Sequence, residues 1–218
     1  VEGKAAPADG RIGPMCYYHA RSREMNRHSP QFEYMSLDDF EELLADKPAD
    51  ERWELIGGRV VRMMVGARWE HNFIIQNLSS GIRERLRAMG SPCRTLVETF
   101  RLKTVPLQSS MLPDIIVRCR ALEPGAASLD DPTVLIEILS EGTKARDRLE
   151  KWHIYQKLPS LMHYVLVERD RAYIEVFDRV GATWSGVRIL EGLDAALELP
   201  EIKVSVPFAE IYQDVLSK

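Results

Sequence analysis

The sequence predicts an α/β domain, a mixed central β-sheet flanked by helices, and three observations carry that reading. DIIVRC (114–119) and TVLIEILS (133–140) are nearly continuous apolar runs, the pattern of strands covered on both faces. RWEHNFIIQNLSSGIRERLRAM (68–89) repeats apolar residues at helical spacing through Phe73, Ile74, Leu78, Ile82, Leu86 and Met89. RWELIGGRVVRMM sets Gly57-Gly58 between two short apolar runs, a hairpin signal.

The remaining elements follow in chain order. Residues 1–34 show no period and include a polar basic run with Arg21, Arg23 and Arg27. They read as a flexible arm, with a start placed too far upstream or a vector-derived leader as alternatives, so the organised domain is expected over 35–218. MSLDDFEELL opens that domain with a helix whose Ser36 and Asp39 resemble a capping box. Gly90, Ser91 and Pro92 stop the long helix. RTLVETFRLK (94–103) reads as a single strand ahead of the two apolar ones. A second helix, 144–157, is expected to place Leu149, Trp152 and Tyr155 on one face, with Leu158-Pro159 closing it. LMHYVLVERD and RAYIEVFDRV read as a hairpin about Arg169, Asp170 and Arg171, and ATWSGVRIL as a further strand. VPFAEIYQDVL closes as a short helix with Pro207 in its first turn.

Composition narrows the function classes. The 218 residues are 45% hydrophobic and 28% charged, ordinary for a globular chain that builds its own core. The formal charge of −4 gives no general attraction to nucleic acid, which leaves a local basic patch as the route to phosphate. Three irregularly spaced cysteines, Cys16, Cys93 and Cys119, argue against a disulfide framework and a cysteine zinc site. No apolar run approaches the roughly 20 residues of a membrane span. The expectation is a reduced, cytoplasmic protein without a membrane partner.

The informative residues are acids in apolar strands. Glu137 lies within TVLIEILS, Asp114 heads DIIVRC directly after Pro113, and Glu54 stands among Trp53, Leu55 and Ile56. A buried ionised carboxylate is costly unless a cation or strong donors compensate it. Neighbouring strands lie about 4.8 Å apart, so acids on two of them can converge on one hard cation such as Mg²⁺. Each acid also has a plainer reading, as a turn acid or an edge residue paired with arginine. Asp147, Lys151 and Tyr155 recur every four residues and share a helix face. That face is either a solvated ion pair or a lysine aimed at the acids. His71 is either a donor near the site or a polar residue on a helix margin. Ser140 reads as a turn cap, since no Ser-His-Asp pattern surrounds it.

The set Glu54, Pro113-Asp114, Glu137 and Lys151 resembles the PD-(D/E)XK nuclease superfamily, and more narrowly the Uma family of restriction endonucleases. The resemblance runs through ELIGGRV, EHNFIIQNL, LPDIIV, IEILS, RDRLEKWHIY and LMHYVLVERD, and spans 35–216. It implies a restriction-endonuclease-like core and Mg²⁺- or Mn²⁺-dependent hydrolysis of DNA phosphodiesters. Asp114 and Glu137 would hold the ion, and Glu54 would be a further or outer ligand. Lys151 would orient water or neutralise charge. His71, Tyr155, Arg83 and Arg87 are the substrate-side candidates, although Arg83 and Arg87 equally fit a solvated helix face beside Glu84. A homodimer that cuts both strands is compatible with the resemblance.

Two departures stand out. Leu139 occupies the position where the superfamily carries its lysine, which the family pattern moves to Lys151. Glu168 stands where the family often shows Asp, a change expected to concern only the sheet margin. The other readings are an inactive nuclease-fold module that binds nucleic acid or a protein, and, more weakly, a carboxylate-pair glycosidase.

Overall fold

The structure is a computed structural model and describes residues 34–64, 66 and 68–216. The arm expected over 1–34, with Arg21, Arg23 and Arg27, lies outside the described residues apart from Tyr34. Helix α1 (Leu37–Ala45) starts where the capping signal puts it: the Asp39 N–H donates to Ser36 Oγ at 3.1 Å, and Ser36 Oγ donates back to Asp39 Oδ2 at 2.6 Å. Strands β1 (Glu51–Ile56) and β2 (Arg59–Met64) form the expected hairpin. Its turn needs φ values of +55° and +80° at Gly57 and Gly58, which side-chain-bearing residues rarely adopt. Helix α2 (Trp69–Ala88) buries Ile74, Ile75, Leu78, Ile82 and Leu86, while Phe73 and Met89, expected on the same face, are exposed.

Two sheets follow. β3 (Arg94–Val97), β4 (Arg101–Thr104), β5 (Ser109–Met111), β6 (Ile115–Arg118), β7 (Ser128–Leu129) and β8 (Val134–Leu139) come before the second helical segment. β9 (His163–Glu168), β10 (Tyr173–Val180), β11 (Thr183–Trp184) and β12 (Arg188–Glu191) come after it. The smaller sheet runs β2-β1-β5-β4-β7; the larger runs β11-β10-β9-β8-β6-β3, with β12 also on β10. β8 and β9 are parallel, joined by the crossover that carries the second helix, and the other pairs of the larger sheet are antiparallel, so that sheet is mixed as expected.

The single strand expected over 94–103 is broken, for a topological reason. β3 belongs to the larger sheet and β4 to the smaller, so the chain changes sheets across Glu98, Thr99 and Phe100, with Glu98 at φ +49°. The passage from β5 to β6 through Leu112, Pro113 and Asp114 makes the return change beside it, tied by the Glu98 N–H to the Asp114 carbonyl. This seam between sheets is where Asp114 sits.

The second helix also differs from its expected form. Arg146–Lys151 is a π-helical stretch, followed by α3 (Trp152–Tyr155). Asp147, Lys151 and Tyr155, at intervals of four, are buried on one face, and Leu149, midway between Asp147 and Lys151, falls on the opposite side and is 70% exposed. A C-terminal hairpin, β13 (Ala196–Leu199) and β14 (Val204–Pro207), precedes α4 (Phe208–Ile211). Pro207 therefore ends a strand and caps the helix instead of lying in its first turn.

Strand alternation divides the core. Ile136 and Ile138 of β8 pack with α2 and the C-terminal hairpin on one side of the larger sheet. Leu135 and Leu139 face the other side, against the smaller sheet and Tyr155. Glu137, two residues from each, points the same way as Leu135 and Leu139. Cys93 and Cys119 are joined by a disulfide at the ends of β3 and β6, contrary to the expectation drawn from cysteine spacing. Antiparallel pairing brings together residues 26 apart, which spacing alone does not reveal. No helix among the described residues is long and apolar enough to cross a membrane.

Closing a loop of 26 residues limits the unfolded chain. Reduction, or Cys93→Ser, is expected to lower stability by about 3 kcal/mol in urea unfolding. Identical unfolding curves with and without reductant would mean that the two thiols are not joined.

Candidate active site

The site forms at the seam of the sheets. β6 and β8 pair with Ile115 opposite Ile136, and continuing that register sets Asp114 opposite Glu137. β1 and β5 pair at Leu55 and Ser110, which brings Glu54 beside the residues leading into Asp114. The crossover after β8 then returns Asp147, Lys151 and Tyr155 over the same face. Glu54, Asp114, Glu137, Asp147 and Lys151 are all buried, yet all border one cleft of about 710 Å³.

Lys151 is the hub. Its Nζ lies 2.9 Å from Glu137 Oε1, 3.3 Å from Asp147 Oδ1 and 3.5 Å from Glu54 Oε1. Glu137 Oε1 also accepts from the Tyr155 hydroxyl at 2.9 Å, and Tyr155 is braced edge-to-face by Tyr164 at 5.1 Å. Glu54 Oε1 accepts the Leu112 N–H at 2.7 Å, while Glu54 Oε2 is buried with no hydrogen-bond partner among the described residues. Asp114 Oδ2 accepts the Ile138 N–H at 2.8 Å, and Oδ1 faces His71 Nε2 at 3.5 Å. His71 is held there by the first turn of α2.

Four acids share one ammonium, and the protonation equilibria reflect it. Burial alone would discharge Lys151, but Glu137, Glu54, Asp147 and Asp114 outweigh it and hold the amine charged well beyond its usual range. Burial pushes the Glu137 carboxyl well up; Lys151 opposes this, while Asp147, Asp114 and Glu54 add to it. Burial also raises Asp114, but His71, Lys151 and the Ile138 N–H together bring its carboxyl below the ordinary value. Burial and the nearby Glu137 charge keep the Tyr155 hydroxyl protonated, as a donor.

The sequence-derived set is therefore largely brought together: Glu54, His71, Asp114, Glu137, Lys151 and Tyr155 meet at one place. Glu54, Asp114 and Glu137 do not form a three-ligand metal cage, and no group of three or more His, Cys, Asp or Glu among the described residues is arranged as one. The reason is Lys151, whose ammonium lies between Glu54 and Glu137. Arg83 and Arg87 are exposed on α2, about 18 and 24 Å further along its axis than His71, and border no part of the cleft. Leu139 is buried in the core. Glu168 is not marginal: it ends β9, an interior strand, and binds Lys144 at 2.8 Å and Arg148 at 3.1 Å, anchoring the crossover that carries Lys151.

Comparison with known proteins identifies the family. The family model Uma2, described as "Putative restriction endonuclease", matches residues 37–207. The chain belongs to the Uma2 family. Two proteins of Synechocystis sp., both described as uncharacterized, are similar to it: slr1290, 26% identical over 71% of this chain and 80% of its own length, and sll1609, 25% identical over 75% and 93%. A crystal structure from Anabaena variabilis, described as a putative nuclease belonging to DUF820, superposes with a TM-score of 0.65 at 20% identity, covering 84% of this chain and 99% of that one. At that identity the likeness speaks to the fold, which is the restriction-endonuclease-like core that the Uma2 resemblance implies.

Sequence reading of this Uma2 chain missed the basic walls of the cleft, which include Arg52, Arg68, Arg146 and Arg169. Arg52 had a usable signal, because it lies two residues before Glu54 and strand alternation puts both on one face. Nothing in the pattern marks Arg68 or Arg146.

Lys151→Met removes the ammonium that the buried acids share. It is expected to cost about 3–5 kcal/mol in urea unfolding near neutral pH. A carboxyl with a raised folded pKa gives up stability as pH rises above its unfolded value, so this deficit should shrink towards about pH 5. Wild-type stability of the variant at neutral pH would refute the shared-cation account.

Proposed function

We propose that this protein is a Mg²⁺- or Mn²⁺-dependent DNA endonuclease. The observation that carries the reading is the surplus of buried carboxylate around Lys151, next to an open cleft. Both contacts to Glu137 fall on Oε1, so Oε2 accepts no hydrogen bond from the described residues. Among the described residues, Asp114 Oδ1 has only His71 before it, at 3.5 Å. These are hard oxygen donors on adjacent strands, the set a small divalent cation accepts with water completing its sphere. Asp114 and Glu137 would hold the ion. Glu54, bound to Leu112 and Lys151, fits an outer role better than a direct one. When bound, the ion supplies charge neutralisation at the phosphate and acidifies a water.

The protein's own groups have separate tasks. Lys151, kept charged by the acids, offers a fixed positive charge to the phosphate as charge develops on it. Tyr155 and Lys151 together fix the Glu137 carboxylate, and the Ile138 N–H fixes Asp114. His71, at the α2 N-terminus, is placed to orient Asp114 or to donate to a phosphate oxygen. Leu139 at the superfamily's lysine position is compatible with activity, because Lys151 brings its amine to Glu137 from the following helix.

Asp114→Asn and Glu137→Gln are each expected to reduce Mn²⁺-supported cleavage of plasmid DNA at least a thousandfold, on the order expected when a catalytic ion is lost, with unchanged circular dichroism. Cutting that persists in both would overturn this assignment.

A second readout is independent of turnover. Mn²⁺ should raise the melting temperature of the wild type and not that of the Asp114→Asn, Glu137→Gln double variant. Absence of any metal-dependent shift in the wild type would favour an inactive nuclease-fold module instead.

A further inference from the structure

A substrate must approach a floor of four acids in a chain of net charge −4, so phosphate contacts have to be local. Among the basic side chains of the cleft, Lys151 is committed to the acids, Arg169 pairs with Asp170 at 2.8 Å, and Arg52 donates to the Leu112 carbonyl. Arg68 and Arg146 differ: neither has a carboxylate partner among the described residues. Arg146 projects from the π-helical stretch, and its Nη1 donates to Met63 Sδ at 2.9 Å, a weak acceptor. Arg68 is exposed immediately before α2, at the end that carries His71. One guanidinium thus comes from the α2 wall and the other from the Lys151 wall.

Beside Arg68 stands an aromatic pair that core packing does not explain. Trp69 and Phe73 are 55% and 40% exposed, one helical turn apart, with rings edge-to-face at 5.5 Å. The buried stripe of α2 lies elsewhere, through Ile74, Leu78 and Ile82. Asn72, on the adjoining stripe, borders the cleft. The aromatic pair is therefore continuous with the site at its mouth.

We infer that Arg68, Arg146 and Trp69 form the track of a nucleic-acid strand, with the two guanidiniums on phosphates near Asp114 and Glu137 and Trp69 stacked on an unpaired base. The inference rests on the nuclease reading and narrows its substrate to a strand that is single or locally opened. Guanidinium stays charged and matches phosphate in a two-pronged fashion. Aromatic stacking accepts every base, so the track carries little sequence preference.

Fluorescence anisotropy with a labelled single-stranded oligonucleotide in EDTA tests binding without cutting. Arg68→Ala and Arg146→Ala should each weaken it, and each should reduce the slope of log K against log salt by about 0.7. Trp69→Ala should weaken single-strand binding about tenfold, with a smaller effect on a matched duplex. Unchanged salt slopes in both arginine variants, or equal losses on single strand and duplex for Trp69→Ala, overturn the inference. Wild-type cleavage in all three variants, with cutting still lost in Asp114→Asn, overturns it and leaves the nuclease reading standing. A wild type that neither binds nor cuts any nucleic acid overturns that reading, and the inference with it.

Discussion

One buried ammonium organises this molecule. Four carboxylates from four separate segments approach the Lys151 side of the cleft, and none of them is accommodated there for reasons of packing. Ionised acids at this depth repel one another and lose their hydration, so their coexistence requires a cation among them. Lys151 supplies it from a helical stretch that would otherwise be an ordinary crossover between parallel strands. Tyr155 and Tyr164 complete the arrangement by filling the space beneath the amine with neutral, protonated donors.

The scaffold explains why the acids can meet at all. Two of the chain's passages between the sheets lie side by side at one seam, through Glu98–Phe100 and through Leu112–Asp114. Irregular backbone at such a crossing frees polar groups to point inwards. The Leu112 N–H is available to Glu54 because of this break. Asp114, just ahead of β6, reaches across to the Ile138 N–H of β8. An uninterrupted strand through this point would have used these groups in ladder pairing.

Much of this was legible in the sequence. Gly57-Gly58 specified a hairpin because few other residues accept that turn, and the acids betrayed themselves by apolar neighbours on both sides. The failures have physical causes too. Residues 94–103 have strand composition throughout, and a change of sheet leaves no mark on composition. Leu149 was assigned to the inner face with Tyr155, but the face that Asp147, Lys151 and Tyr155 share leaves it on the opposite side. Cys93 and Cys119 meet only through pairing between β3 and β6. The basic cleft walls depend on tertiary placement of side chains whose local sequence looks like any solvated surface.

The π-helical stretch from Arg146 to Lys151 carries a constraint on how the chain can vary. It winds one residue more per turn than an α-helix would. If its six residues tightened into regular winding with none lost, everything after them would swing by about 100° around the axis. The Lys151 amine would then leave Glu137. Length and winding in this half-dozen residues therefore vary together: a residue lost here is accommodated only where the turn tightens with it.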